Sequence, residues 1–222
     1  MHKAVVFDLD DTLYPEKQFV WSGFRAVDHF LNEELHLEGF YDLAVACFEQ
    51  GGRGTIFNRV LESLRFPYDD SLIKQLIDVY RSHRPNISLF DDARWAISFY
   101  AGAYRTGIIT DGYLVSQLNK IDALQLRDTI DNILCTDMFG REHWKPSELP
   151  YLKMMSALDC VGMECVYVGD NPRKDFVTAK KLGWTTVQII RSDGEYGKIL
   201  PDRSYAAEYR MESLYSLKEL IS

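Results

Sequence analysis

The run Ala4-Val5-Val6-Phe7-Asp8-Leu9-Asp10-Asp11-Thr12-Leu13 joins a short apolar stretch to three carboxylates. Consecutive apolar residues of this kind suit a strand buried on both faces of a parallel sheet. Ligands of such sheets bind beyond the carboxyl ends of the strands, so Asp8 and Asp10 stand where chemistry is done. If the extended geometry continued, both side chains would point to one face, with Leu9 turned away. Two carboxylates held that close repel, and a shared proton or a bound cation is the usual remedy. A turn rich in Asp and Thr accounts for an isolated Asp-x-Asp equally well. It does not account for the rest of the chain.

Other stretches end in the same way. Tyr104 to Ile109 reads as a strand closing on Thr110-Asp111-Gly112, and Cys165-Val166-Tyr167-Val168 as one closing on Gly169-Asp170-Asn171. Trp144-Lys145-Pro146 adds a lysine from a fourth element. In a parallel sheet these ends share one edge, so residues distant in sequence meet in one pocket. Carboxylates there bind hard cations such as Mg²⁺ through oxygen. The metal, Lys145, the Thr110 hydroxyl and nearby backbone N–H groups would gather the charge of a phosphoryl group. One carboxylate is left as nucleophile and one as proton donor.

The elements that must position these groups fall into two blocks. From about Glu16 to Arg84 the apolar residues recur at helical spacing, as in Phe24, Val27, Phe30 and Leu31, then Ile56, Val60, Leu61 and Leu64, then Leu72, Leu76, Val79 and Tyr80. Gly39, Gly51-Gly52 and Pro67 punctuate the pattern and Pro85 closes it, which predicts about four packed helices. From Asp91 onward helices alternate with short strands. Asp91 is expected to cap a helix running to Tyr100. A weaker strand is expected around Ile133-Leu134, a helix over Leu149 to Leu158, a strand over Thr186 to Ile190, a short strand near Tyr205 to Ala207 and a terminal helix. Strands separated by helices imply crossovers and a parallel sheet. The expected fold class is α/β: a Rossmann-like three-layer α/β/α core from residues 1–14 and 85–222, with an all-helical domain, 15–84, inserted.

The chain has 222 residues, 46% of them hydrophobic, enough for a full core and a second, smaller domain. A net charge of −8 and a pI near 5.1 argue against broad binding to nucleic acid. No apolar run approaches the roughly 20 residues needed to span a bilayer, and no signal peptide is evident. Cys47, Cys135, Cys160 and Cys165 lack zinc-site spacing and read as reduced, buried thiols. A cytoplasmic protein is expected. Without heptads or an exposed strand signal, a monomer is the default.

The ordered set Asp8-Leu9-Asp10-Asp11-Thr12, Thr110-Asp111-Gly112, Lys145-Pro146 and Gly169-Asp170-Asn171-x-x-x-Asp175 resembles the motifs of the haloacid dehalogenase superfamily of hydrolases. The inserted helices resemble the cap of the subgroup that carries it between the first and second motifs. The resemblance implies that Asp8 is the nucleophile, attacking phosphorus to give an aspartyl-phosphate. It makes Asp10 the general acid and base, with its backbone carbonyl on the metal. Thr110 and the N–H groups of Asp111 and Gly112 would hold phosphate oxygens, and Lys145 would neutralise charge. Asp170 would complete the Mg²⁺ site with Asp8, while Asp175 and Asn171 orient its surroundings. Asp11 and Thr12 are assigned to the turn.

Dehalogenases of this superfamily lack an acid two residues after the nucleophile, because a halide needs no proton on leaving. Its phosphonatases have a small residue there and a Schiff-base lysine in the cap. Asp10 is neither absent nor small, and the helical block holds only Lys17 and Lys74. The expectation is therefore a Mg²⁺-dependent phosphomonoester hydrolase for a small phosphorylated metabolite, a nucleotide or sugar phosphate. The alternatives are a sugar-phosphate phosphomutase and, behind it, a non-enzymatic phosphate-ligand binding protein. For specificity, Arg53 in the loop Gly51-Gly52-Arg53-Gly54 is a candidate contact to a polar or anionic part of the substrate, set against a plain solvated arginine. Tyr14 is a candidate to line the pocket mouth or stack on a ring.

Overall fold

The computed structural model describes residues 1–221. In chain order its elements are β1 (Ala4–Phe7), α1 (Glu16–Leu35), α2 (Phe40–Glu49), α3 (Ile56–Ser63), α4 (Asp70–Ser82), α5 (Asp91–Tyr100) and β2 (Arg105–Thr110). There follow α6 (Leu114–Ala123), β3 (Asn132–Cys135), α7 (Leu149–Leu158), β4 (Cys165–Gly169), α8 (Val177–Lys181), β5 (Thr185–Ile189) and β6 (Tyr209–Met211). All strand pairings are parallel, in the order β3-β2-β1-β4-β5-β6. The chain divides into two units, residues 1–16 with 88–222 and residues 17–87.

In the first unit β1 lies between β2 and β4, with Val6 opposite both Gly107 and Tyr167. Every residue of β1 is buried, as a strand covered on both faces requires. The strand order reverses across β1, which opens a crevice at the carboxyl edge of the sheet just where Asp8 follows. Tyr151 from α7, Tyr167 from β4 and Trp184 pack edge to face and tilted, with ring centroids 5.4 to 6.2 Å apart, and form the centre of one core layer. Buried aromatics of this size hold the β4 end rigidly, each contributing on the order of 2–3 kcal/mol.

The second unit is all helical. Phe24, Val27 and Leu31 of α1 pack with Phe40, Leu61 and Leu76 from the other helices in a separate apolar core. The Asp69 side chain accepts the Leu72 N–H at 2.9 Å and so starts α4.

Several boundaries differ from those read in the sequence. Phe90, not Asp91, occupies the cap position of α5, and Asp91 stands exposed in its first turn. Asp92 turns inward instead, accepting Arg191 Nη1 at 2.7 Å and the Leu214 N–H at 2.8 Å. The last strand falls at Tyr209–Met211 rather than Tyr205–Ala207, because Glu208 accepts the Thr186 N–H at 2.9 Å and sets the register with β5. The terminal helix is one short 3₁₀ segment, Leu214–Glu219. All four cysteines are free thiols, but Cys47 is only half-buried. Among the described residues no helix is long and apolar enough to cross a membrane.

Candidate active site

Asp8 leaves β1 with its carboxylate buried, and Lys145 Nζ meets its Oδ1 at 2.6 Å. The same ammonium lies 2.9 Å from Asp175 Oδ1 and donates to Tyr167 Oη at 2.9 Å. Asp175 is in turn fixed by the Asn171 N–H, which donates to Oδ2 at 2.9 Å. A Cβ on residue 169 would lie 2.5 Å from that Oδ2, so only glycine lets β4 end this close to Asp175. Burial pushes the Asp8 carboxyl up to about 6 despite the opposing Lys145 charge. Burial also works against the Lys145 ammonium, but Asp175 and Asp8 outweigh it and hold the lysine charged.

Asp10 is served by a second, separate set. Lys120 Nζ donates to its Oδ1 at 2.6 Å, Gln117 Nε2 to Oδ2 at 3.0 Å, and the Tyr14 hydroxyl to Oδ1. Burial would raise the Asp10 carboxyl, yet Lys120 and these hydrogen bonds bring it below the usual carboxylate range. The repulsion between Asp8 and Asp10 is thus relieved by one lysine each. Gln117 Nε2 also lies 2.5 Å from Thr110 Oγ1. An amide donating to that oxygen leaves the hydroxyl its own proton to donate elsewhere.

Asp111 braces the adjoining loop. Its Oδ1 accepts the Thr136 hydroxyl at 2.8 Å and the Lys145 N–H at 3.0 Å, and its Oδ2 accepts Lys174 Nζ at 2.8 Å. Gly112 has φ +133°, where a side chain is strained, and a Cβ there would lie 2.9 Å from Gln117 Oε1 and push that side chain aside. Asp8, Asp10, Asp111, Gly112, Asp170 and Asn171 line one cavity of about 170 Å³. Glu16, Trp144, Lys174 and Tyr196 complete its wall. Lys145 lies buried against Asp8 of that wall, and Thr110 lies buried against Gln117, which in turn donates to Asp10.

These residues suit a hard cation. Carboxylate oxygens of Asp8, Asp170 and Asp175 all lie within 4.8 Å of one another. The Asp170 side chain receives no hydrogen bond or ion pair from any described residue, and burial, with Asp175 and Asp8 nearby, pushes its carboxyl well up. Among the described residues Lys145 is the one cation that forms ion pairs with these three acids, and a divalent ion would supply the missing charge. Asp175 is occupied by Lys145 and Asn171, which leaves Asp8 and Asp170 as the open donors.

Two expectations about specificity meet a different geometry. Tyr14 is fully buried, and its hydroxyl is spent on Asp10 rather than on a pocket mouth. Arg53 donates to the carbonyls of Phe48 and Gly52 at 3.0 and 2.8 Å and stacks on the Phe48 ring at 3.8 Å, closing its own loop. Asp11 does belong to the turn: it has φ 49° and accepts the Glu16 N–H at 2.9 Å.

Lys120, Gln117, Tyr167, Lys174 and Glu16 were not singled out from the sequence. Gln117 and Lys120 had a signal available, since polar residues three apart on the helix after Thr110 share a face. Tyr167 had none, because a tyrosine inside an apolar strand reads as core.

The model of the haloacid dehalogenase-like hydrolase family matches residues 5–189. A glyceraldehyde 3-phosphate phosphatase from Methanocaldococcus jannaschii is 29% identical, over 100% of this chain and 97% of its own length. A ribulose-1,5-bisphosphate 5-phosphatase from Halopiger xanaduensis is 28% identical over 100% of both chains. Among solved structures, the HAD-hydrolase YfnB from Bacillus subtilis bound to magnesium superposes with a TM-score of 0.70 at 17% identity, covering 100% of this chain and 99% of that one.

Proposed function

The chain belongs to the haloacid dehalogenase-like hydrolases, and from that premise we propose that it is a Mg²⁺-dependent phosphomonoester hydrolase acting on a small sugar phosphate. The observation that carries this reading is the pair of buried carboxylates with separate lysines, Asp8 on Lys145 and Asp10 on Lys120, opening on one cavity. The relatives named for sugar-phosphate substrates favour that class over nucleotides. Residues 17–87 are assigned the part of the helical cap.

Asp8 attacks phosphorus to form an aspartyl-phosphate, and the ester oxygen leaves with a proton from Asp10. Asp10 is ionised at rest and takes up its proton from solvent as the substrate binds, since the negative charge of the bound phosphate raises its affinity for that proton. In the second half-reaction Asp10 removes a proton from the attacking water as the hydroxyl bonds to phosphorus and the Asp8–phosphorus bond breaks, and it gives that proton to solvent when phosphate departs, which restores the ionised resting form. The Thr110 hydroxyl and the N–H groups of Asp111 and Gly112 hold the non-bridging oxygens, and Lys145 balances charge between nucleophile and phosphoryl group. Asp8, Asp170 and the Asp10 carbonyl would hold Mg²⁺, which would supply Lewis-acid neutralisation of the phosphoryl charge. The magnesium-bound fold neighbour supports this choice of metal.

The test is phosphate release from triose, pentose and hexose phosphates and nucleoside monophosphates, with Mg²⁺ and with a chelator. The expected result is release from sugar phosphates that stops when the metal is removed. Isomerised sugar phosphate without free phosphate would instead identify a mutase, and no turnover of any ester by folded, metal-loaded protein would sink the enzyme reading.

The metal should also reveal itself in stability. Asp8 is raised to about 6 and Asp170 is raised as well, so the metal-free fold binds protons at both more readily than the unfolded chain does. That preference stabilises the metal-free protein at low pH and is lost as pH rises through the folded-state values. Mg²⁺ competes with those protons, so its binding strengthens with pH. At a fixed Mg²⁺ concentration the gain in Tm is expected to be large at pH 8 and small at pH 5. An equal gain at both would mean that the ion binds elsewhere.

A further inference from the structure

Beside the phosphoryl site the same cavity carries an acid that the proposed mechanism does not use. The Glu16 side chain lines the wall and receives no hydrogen bond or ion pair from any described residue, while its backbone N–H is committed to Asp11 Oδ1 at 2.9 Å. Burial, with the charges of Asp10 and Asp11, pushes its carboxyl up to about 7 against the opposing pull of Lys120 and Lys174. The cations close by are already engaged. Lys120 meets Asp10 at 2.6 Å and Lys174 meets Asp111 at 2.8 Å.

Glu16 and Asp10 line the same cavity, and in the mechanism proposed above Asp10 serves the leaving oxygen, so the remainder of the substrate attached to that oxygen shares the cavity with Glu16. A hydroxyl of that remainder can donate to the carboxylate of Glu16. A second phosphate or a carboxylate meets like charge in a partly buried space, which disfavours it by about tenfold or more.

We infer that Glu16 is a specificity-determining residue that selects phosphate monoesters with an uncharged, hydroxyl- or aldehyde-bearing remainder over those with a second anionic group. This rests on the hydrolase reading above and narrows its substrate class. It sets the chain on the side of a triose phosphate rather than a bisphosphate.

Glyceraldehyde 3-phosphate and 3-phosphoglycerate make the direct comparison, since they differ only in an aldehyde against a carboxylate. At pH 8 with saturating Mg²⁺, the wild-type protein is expected to favour the aldehyde by about tenfold or more in kcat/KM. Glu16→Gln is expected to narrow that ratio by about tenfold, mainly through the KM for phosphoglycerate, while Glu16→Asp keeps the preference. If Glu16→Gln is unfolded or inactive, salt decides. Screening should raise kcat/KM for phosphoglycerate relative to the aldehyde in the wild-type protein. Phosphate release with a ratio that neither the substitution nor salt moves would overturn the inference and leave the hydrolase reading standing. No release from any ester would overturn both.

Discussion

Replacing Asp8 with Asn is expected to lower kcat for phosphate release by roughly 10³-fold or more, with the fold intact. An amide is nearly the size of the carboxylate but cannot attack phosphorus to form the acyl phosphate. The structure also says why the variant should fold. Burial penalises the charged form of Asp8, raising its carboxyl to about 6, so a neutral side chain relieves that cost. Lys145 keeps Asp175 at 2.9 Å as its partner. The expected pattern is therefore near-wild-type thermal unfolding in the absence of metal, a weakened response to Mg²⁺, and no phospho-enzyme trapped on acid quenching. Residual turnover within tenfold of wild type would remove Asp8 from the nucleophile's role.

Lys145→Met should do the opposite to stability. Lys145 is the ammonium common to Asp8 and Asp175, and its side chain and that of Asp175 are fully buried. Removing one partner from a buried ionic group leaves uncompensated charge and costs about 3–5 kcal/mol. For a chain of this length that corresponds to a fall in Tm of about 10 °C. Turnover should be lost as well, because the ammonium that balances the phosphoryl group in the proposed mechanism is gone. Adding Asp175→Asn to Lys145→Met should recover part of the stability and none of the activity, since it removes an unpaired acid without restoring an ammonium. Calorimetry of the two variants checks this. A Lys145→Met protein as stable as wild type would mean that Asp8 and Asp175 are not held by that lysine.

How much of this could be read from the residues differs by element. The apolar run Ala4 to Phe7, the break into Asp8, and the alternation of helices and strands after Asp91 announce a parallel sheet with acids at its edge, because buried strands and crossover helices impose those patterns on sequence. The helical block was equally legible from its period. The late strand was misplaced because Tyr209–Met211 is short and mostly exposed, and Glu208 and Thr186 set its position rather than any apolar run. Asp91 reads as a cap because the helix begins there, whereas Asp92 is the acid that the fold engages, bound to Arg191.

The same division runs through the site. Motif order along the chain determined which acids, which lysine and which threonine gather at the sheet edge, since a parallel sheet brings successive strand ends together whatever lies between them. It could not determine who pairs with whom. That Lys145 serves Asp8 and Asp175, that Lys120, Gln117 and Tyr14 hold Asp10, and that Glu16 stands unpaired on the cavity wall are matters of ångströms between residues up to 137 positions apart. Charge pairing and burial depend on those distances, and only the folded chain sets them.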